Sequence, residues 1–112
     1  MQAAEMTACA QEQGKFWDMH DAIFENFGKL AVDQLLDRAI EVGLDIEALN
    51  TCLDNGDGRS KVDGDMKLGR SAGVAGTPAL FVNGRPVQLV GRTPPKDLLS
   101  AVIDDELSRL NL

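Results

Sequence analysis

Few residues of this 112-residue chain could do chemistry. Cys9 and Cys52 are its two cysteines, His20 its one histidine, and Thr77-Pro78 stands at the head of an apolar run. A thiol pair does redox chemistry when one sulfur is an accessible, low-pKa thiolate. Cys9 and Cys52 are far apart in sequence and form no Cys-x-x-Cys, and the sequence sets no basic neighbour close to either. Two cysteines and one histidine do not make a convincing zinc set. His20 lies between Phe16 and Phe24 on an apolar stripe, which favours a core or half-buried histidine over a general base. No serine or cysteine stands at a spacing that makes it a triad partner. The run Asp54-Asn55-Gly56-Asp57-Gly58 and the triplet Asp63-Gly64-Asp65 offer carboxylates, but no register supplies the ligand positions of a calcium loop. They read as a turn and a helix start. Gly84-Arg85-Pro86 lacks the glycine cradle and following lysine of a phosphate loop. No metal and no cofactor is expected.

Thr77-Pro78 belongs to Gly73-Val74-Ala75-Gly76-Thr77-Pro78-Ala79-Leu80-Phe81-Val82-Asn83-Gly84. An X-Pro bond is the one common site of a cis peptide. The glycine-rich approach and the strand that follows predict a cis Thr77-Pro78 bond. A trans proline before an ordinary hairpin is the alternative. Asn83-Gly84 is the strongest two-residue hairpin signal, because both positions accept positive φ.

The elements that must position these residues are mostly helical. Ala3 to Gln13 is rich in Ala, Glu and Gln and sets Met6, Cys9, Ala10 and Gln13 on one face. Phe16, His20, Ile23, Phe24 and Phe27 form the clearest helical stripe. Val32, Leu35, Leu36, Ala39 and Ile40 mark a third helix, with Gly43 placed to end it. Asp45 can cap a short helix with Ile46, Leu49, Cys52 and Leu53 inward. Asn55 to Gly58 is a breaker cluster, and Arg59 to Ala72 a helix weakened by Gly64 and Gly69. The period then changes: Ala79–Val82 and Val87–Val90 read as two hairpin arms, with Pro86 at a strand start or edge. Thr93 caps a last helix with Pro94 in its first position and Leu99, Val102, Ile103, Leu107 and Leu110 on its apolar face.

The formal charge is −7, which argues against non-specific nucleic-acid binding. No basic run suggests an anionic membrane, and no apolar run is long enough to span a bilayer. Met1-Gln2-Ala3 has neither the basic nor the apolar region of a signal peptide.

The segment Gly73 to Arg85 resembles the cis-proline segment of the DsbA-like thiol-disulfide oxidoreductases, which have a thioredoxin-like fold. Ala8 to Phe24, with Phe16-Trp17-Asp18-Met19-His20-Asp21-Ala22-Ile23-Phe24 at its end, resembles the helical insertion of the same family. The two blocks keep the family's order and cover nearly the whole chain. The resemblance implies an α+β, incomplete thioredoxin-like fold: a helical insertion region over 1–73, then a hairpin and closing helix over 74–112, as one compact domain. The family's Cys-x-x-Cys precedes the insertion and is not in this sequence. The chain is therefore expected to be a fragment or truncated oxidoreductase, with Thr77 and Pro78 contacting a polypeptide substrate and no catalytic residue of its own. The alternative is a non-enzymatic, oligomeric interaction module. For Cys9 and Cys52 a structural disulfide, as some family members carry in the insertion, stands beside a pair of buried free thiols and, last, a redox pair. Family resemblance implies a periplasmic or extracytoplasmic location. An open hairpin edge calls for a second copy, the missing N-terminal half or a cover.

Overall fold

Alanine, glutamate and glutamine carry little helical cost, and Gln2–Glu12 forms helix α1. It buries Met6, Thr7, Cys9 and Ala10. Its end is closed by two backbone bonds, Gly14 N–H to Gln11 O and Lys15 N–H to Ala10 O, each 3.0 Å. The structure is a computed structural model that describes residues 1–89 and 91–110. It divides into two compact units, Met1–Ala72 and Gly73–Leu112.

In the first unit four more helices follow: α2 (Phe16–Glu25), α3 (Val32–Glu41), α4 (Ile46–Asn55) and α5 (Asp57–Ser71). Helix α1 is the hub and packs against all four. The core joins Met6, Cys9 and Ala10 of α1 to Met19 and Ile23 of α2, Leu35 and Ala39 of α3, Leu44, and Leu49 and Cys52 of α4. Met19, Leu35 and Leu49 are fully buried, and each such side chain contributes about 1.5–3 kcal/mol. Small residues make the close approach: Ala10 and Ala39 are both 0% exposed.

The expected stripe on α2 is only partly the buried one. Ile23 is inside with Met19 and Ala22, whereas Phe24 is 61% and Phe27 78% exposed. Unbranched Met19 and small Ala22 fit beside the alanines of α1 and α3, and the wide rings stand at the margin. Val32 and Ile40, assigned to the inner face of α3, are also exposed.

Helix α3 ends as its sequence implies. Gly43 N–H bonds Ile40 O and Leu44 N–H bonds Ala39 O, both at 3.0 Å, a Schellman closure with Leu44 buried beneath it. Asp45 caps α4 by accepting from Ala48 N–H at 3.1 Å. The break between α4 and α5 is shorter than the Asn55–Gly58 cluster suggests. Gly56 alone turns the chain, at φ 79°, and α5 begins at Asp57. Val62 is half-buried on α5 and Met66 is exposed.

In the second unit, strand β1 (Leu80–Val82) pairs antiparallel with β2 (Arg85–Val87). The partners are Leu80 with Val87, Phe81 with Pro86 and Val82 with Arg85. Asn83 at φ 52° and Gly84 at φ 79° make the two-residue turn. The second arm therefore begins directly after the turn, two residues before the expected Val87. Val90, the expected end of that arm, lies outside the described residues. Pro86 falls on a non-hydrogen-bonded pair of this register, where a missing N–H costs the ladder nothing. Helix α6 (Pro95–Arg109) packs on both strands. Pro95, not Pro94, is its first residue, and Pro94 takes the cap position expected of Thr93. The extended backbone of Pro94, ψ 142°, is the conformation that a following proline imposes. Of its expected apolar face, Leu99 and Val102 are half-buried, while Ile103, Leu107 and Leu110 are exposed. Val87 is the one buried residue among the described residues of this unit. Among the described residues the sheet has two strands, so both of its outer edges lack a strand partner.

Candidate functional site

Cys9 stands on the inner face of α1 and Cys52 on that of α4. The packing of these helices brings their Cα atoms to 5.9 Å, and the two cysteines form a disulfide. Both are buried, at 1% and 3% exposure. Among the described residues no free cysteine remains. The structural disulfide, one of the readings left open by the sequence, is thus the one present.

Three features of this disulfide were not legible beforehand. Gly58, in the first turn of α5, lies directly on Cys9: a β-carbon there would stand 2.8 Å from its Sγ. A cavity of about 230 Å³ opens over Cys52, lined by Ala8, Gln11, Glu12, Asp57, Gly58 and Lys61. The carboxylates of Glu12 and Asp57 lie within 4.8 Å of each other and of Cys52 Sγ. That trio resembles a metal set, but a thiolate is the metal ligand, and a sulfur bonded to Cys9 is not one.

His20 faces aromatic rings. Its ring centroid is 4.7 Å from that of Phe24 and 5.1 Å from that of Trp17. Its Nδ1 is 3.0 Å from Asp21 Oδ1. No hydroxyl or sulfur is its hydrogen-bond partner among the described residues, so the geometry assembles no triad. Phe16, His20, Phe24 and Phe27 line one wall of an apolar groove of about 490 Å³, with Val62 and Met66 of α5 opposite. The sequence signal for it was the width of the aromatic stripe, wider than a single buried face.

Thr77 and Pro78 belong to the second unit, in the loop that leads into β1. Both are exposed, and the peptide bond between them is cis. Among the described residues no backbone–backbone hydrogen bond engages Thr77. The hairpin that follows is fastened to α6 by charge. Arg85 Nη1 donates to Asp105 Oδ2 at 2.6 Å and Arg109 Nη2 lies 3.2 Å from the same oxygen. The hydrogen bond from Arg85, then the charge of Arg109, hold the Asp105 carboxyl below the usual carboxylate range.

A family model described as the DSBA-like thioredoxin domain matches residues 1–102. An 83-residue stretch is 36% identical to part of the Na(+)/H(+) antiporter NhaA 3 of Salinispora tropica, and also 36% identical to NhaA 1 of Salinispora arenicola. The corresponding antiporter of Herminiimonas arsenicoxydans is 34% identical over 83 residues. Each match covers 74% of this chain and 13% of the antiporter, so the chain matches only a small part of these curated relatives. No solved structure matches. Among the described residues, no helix is long and apolar enough to cross a membrane.

Proposed function

The chain belongs to the DSBA-like thioredoxin domain family, and from that premise we propose that it supplies the polypeptide-contacting part of a thiol-disulfide oxidoreductase rather than its dithiol. Its fold is α+β, of the DsbA-type thioredoxin-like class. The observation that carries the reading is the state of the cysteines. The only two in the sequence are joined to each other and buried. Disulfide exchange begins with an accessible thiolate, and neither Cys9 nor Cys52 can supply one in this state. What the chain retains is the exposed Thr77-Pro78 segment, above a hairpin held by α6. Thr77 and Pro78 are the substrate-binding pair in this reading, and the reactive Cys-x-x-Cys comes from outside these 112 residues. The lightly buried second unit accords with it: the exposed Phe81, Ile103 and Leu107 are faces that further strands could cover. An oxidising, extracytoplasmic compartment follows from the same reading and accords with a persistent disulfide.

Two measurements test this together. Insulin reduction with dithiothreitol should show no turnover above the blank. A cysteine-free unfolded polypeptide should shift the amide resonances of Ala75, Gly76, Thr77 and Ala79, and Pro78→Ala should weaken that response. Turnover that disappears in Cys9→Ser or Cys52→Ser overturns the reading, as does a binding response confined to the first unit.

A second reading, a non-catalytic interaction module, is favoured by the relatives. In proteins named as antiporters the similar stretch is 13% of the chain, so a domain of this kind can stand within a polypeptide whose named activity is transport. Self-association of this chain without any response to unfolded polypeptide would favour it.

A further inference from the structure

We propose that the Cys9–Cys52 disulfide is a thiol-exchange site gated by charge: small cationic thiols reach Cys52 through the cavity over it, and anionic thiols are turned away by Glu12 and Asp57. Three observations meet there. The cavity of about 230 Å³ is lined by Cys52 and not by Cys9. Cys9 is covered by the backbone of α5 at Gly58, which also lines this cavity. At the mouth, Glu12 and Asp57 are exposed, and their carboxylates lie within 4.8 Å of the Cys52 sulfur. The nearby cation, Lys61, is already engaged: its Nζ donates to Asp65 at 3.2 Å.

The route fixes which sulfur is attacked. A thiolate RS⁻ attacks Cys52 Sγ. As the new sulfur–sulfur bond forms, the Cys9–Cys52 bond breaks, and the electron pair leaves on Cys9, which takes a proton from solvent. A second RS⁻ attacks the outer sulfur of the mixed disulfide and releases the Cys52 thiolate, giving RSSR. Two electrons pass from two small thiols to the protein disulfide. The entering group is always an anion at its sulfur, so two carboxylates at the mouth slow every thiolate. A second charge on the thiol decides by how much. An ammonium group offsets the repulsion and a sulfonate adds to it. The gate thus passes aminothiols and discriminates against acidic thiols.

The test uses the whole chain and three small thiols: 2-aminoethanethiol, 2-mercaptoethanol and 2-mercaptoethanesulfonate. Rates are followed by thiol quantitation after an acid quench. Each is expressed per thiolate and divided by its rate with bis(2-hydroxyethyl) disulfide, which removes intrinsic nucleophilicity. At low salt the aminothiol should exceed the sulfonate by about tenfold, the order expected of two exposed charges at this range. That ratio should shrink towards one in 1 M salt and in the Glu12→Gln/Asp57→Asn variant. The single variants should fall between, and they keep the test alive if the double variant does not fold. Ratios near one in the unmodified chain overturn the proposal, as does an order that survives removal of both carboxylates. A rate independent of thiol concentration also overturns it, because reduction would then pass through prior unfolding.

Discussion

Gly58 and Cys9 are in contact so close that no side chain fits between them. A β-carbon on Gly58 would stand 2.8 Å from Cys9 Sγ and 2.6 Å from the carbonyl oxygen of Glu5. The absence of a side chain is what lets α5 lie on α1 at the disulfide, and Arg59 next to it reaches Glu5 at 3.5 Å.

Gly58→Ala should therefore destabilise the chain, by about 1–3 kcal/mol, the usual cost of overpacking a close contact. Gly64, farther along α5, is the control. Its β-carbon would meet nothing within 4 Å, so Gly64→Ala should stabilise by about 0.5–1 kcal/mol through helix propensity alone. Urea midpoints of the two variants should move in opposite directions. Equal shifts would remove the special role of Gly58.

Much of the first unit was legible because its signals are local. Asp45 before an apolar run announces a cap, and Gly43 announces the end of α3. The cluster around Gly58 misled for a physical reason: glycine marks both a turn and a close approach, and only the partner helix, distant in sequence, tells which. The aromatic stripe on α2 misled in another way. Periodicity identifies an apolar face, but the sizes available on α1 and α3 decide which part of it is buried, and they select Met19 and Ala22 over Phe24. At the candidate site, Thr77-Pro78 stood out through its local pattern. The carboxylates beside Cys52 did not, since Glu12 and Asp57 come from two helices and meet only through the fold.

The disulfide closes a loop across a sequence separation of 43. In the chain-entropy model such a loop contributes about 4 kcal/mol by restricting the unfolded chain. The Cys9→Ala/Cys52→Ala variant should lose most of this and unfold at a distinctly lower urea concentration. Helix content should persist at zero denaturant, because Met19, Leu35 and Leu49 still form the core. An unchanged midpoint would mean that the link restrains a chain already compact when unfolded.

Gln13 joins the end of α1 to the start of α4 through its side-chain amide. Its Nε2 donates to Asp45 O at 3.1 Å, and its Oε1 accepts from Asp45 N–H at 2.8 Å. The same Asp45 caps α4 with its carboxylate. Asp45→Ala should cost about 1 kcal/mol through the lost cap, and Gln13→Ala about the same through two exposed bonds from its side-chain amide to the Asp45 backbone. Hydrogen exchange separates the two. Asp45→Ala should speed the amide of Ala48, whereas Gln13→Ala should speed that of Asp45 itself.

The Arg85–Asp105 pair makes a pH-dependent contribution to the second unit. The hydrogen bond from Arg85 comes first and the charge of Arg109 second in lowering the Asp105 pKa below its ordinary value. A carboxyl with a depressed folded-state pKa binds fewer protons folded than unfolded. Its contribution to stability is therefore fully present above the unfolded value, about pH 4, and is lost as pH falls through the folded value. The pair is exposed, so the effect is small and weakens with salt. Carboxyl-carbon resonances should show Asp105 titrating below the ordinary carboxylate range. Arg85→Ala should raise the Asp105 midpoint more than Arg109→Ala, because the hydrogen bond from Arg85 is the largest cause of the lowering. It should also loosen the hairpin from α6, seen as faster amide exchange in β2 above pH 4, where the carboxylate is charged. Below the folded pKa of Asp105 the difference in exchange between Arg85→Ala and the unmodified chain should narrow, because protonation has already removed the ion pair. A difference that stays constant through the titration would show that Arg85 holds the hairpin by packing or through Glu106, 3.6 Å from its Nη1, rather than through Asp105.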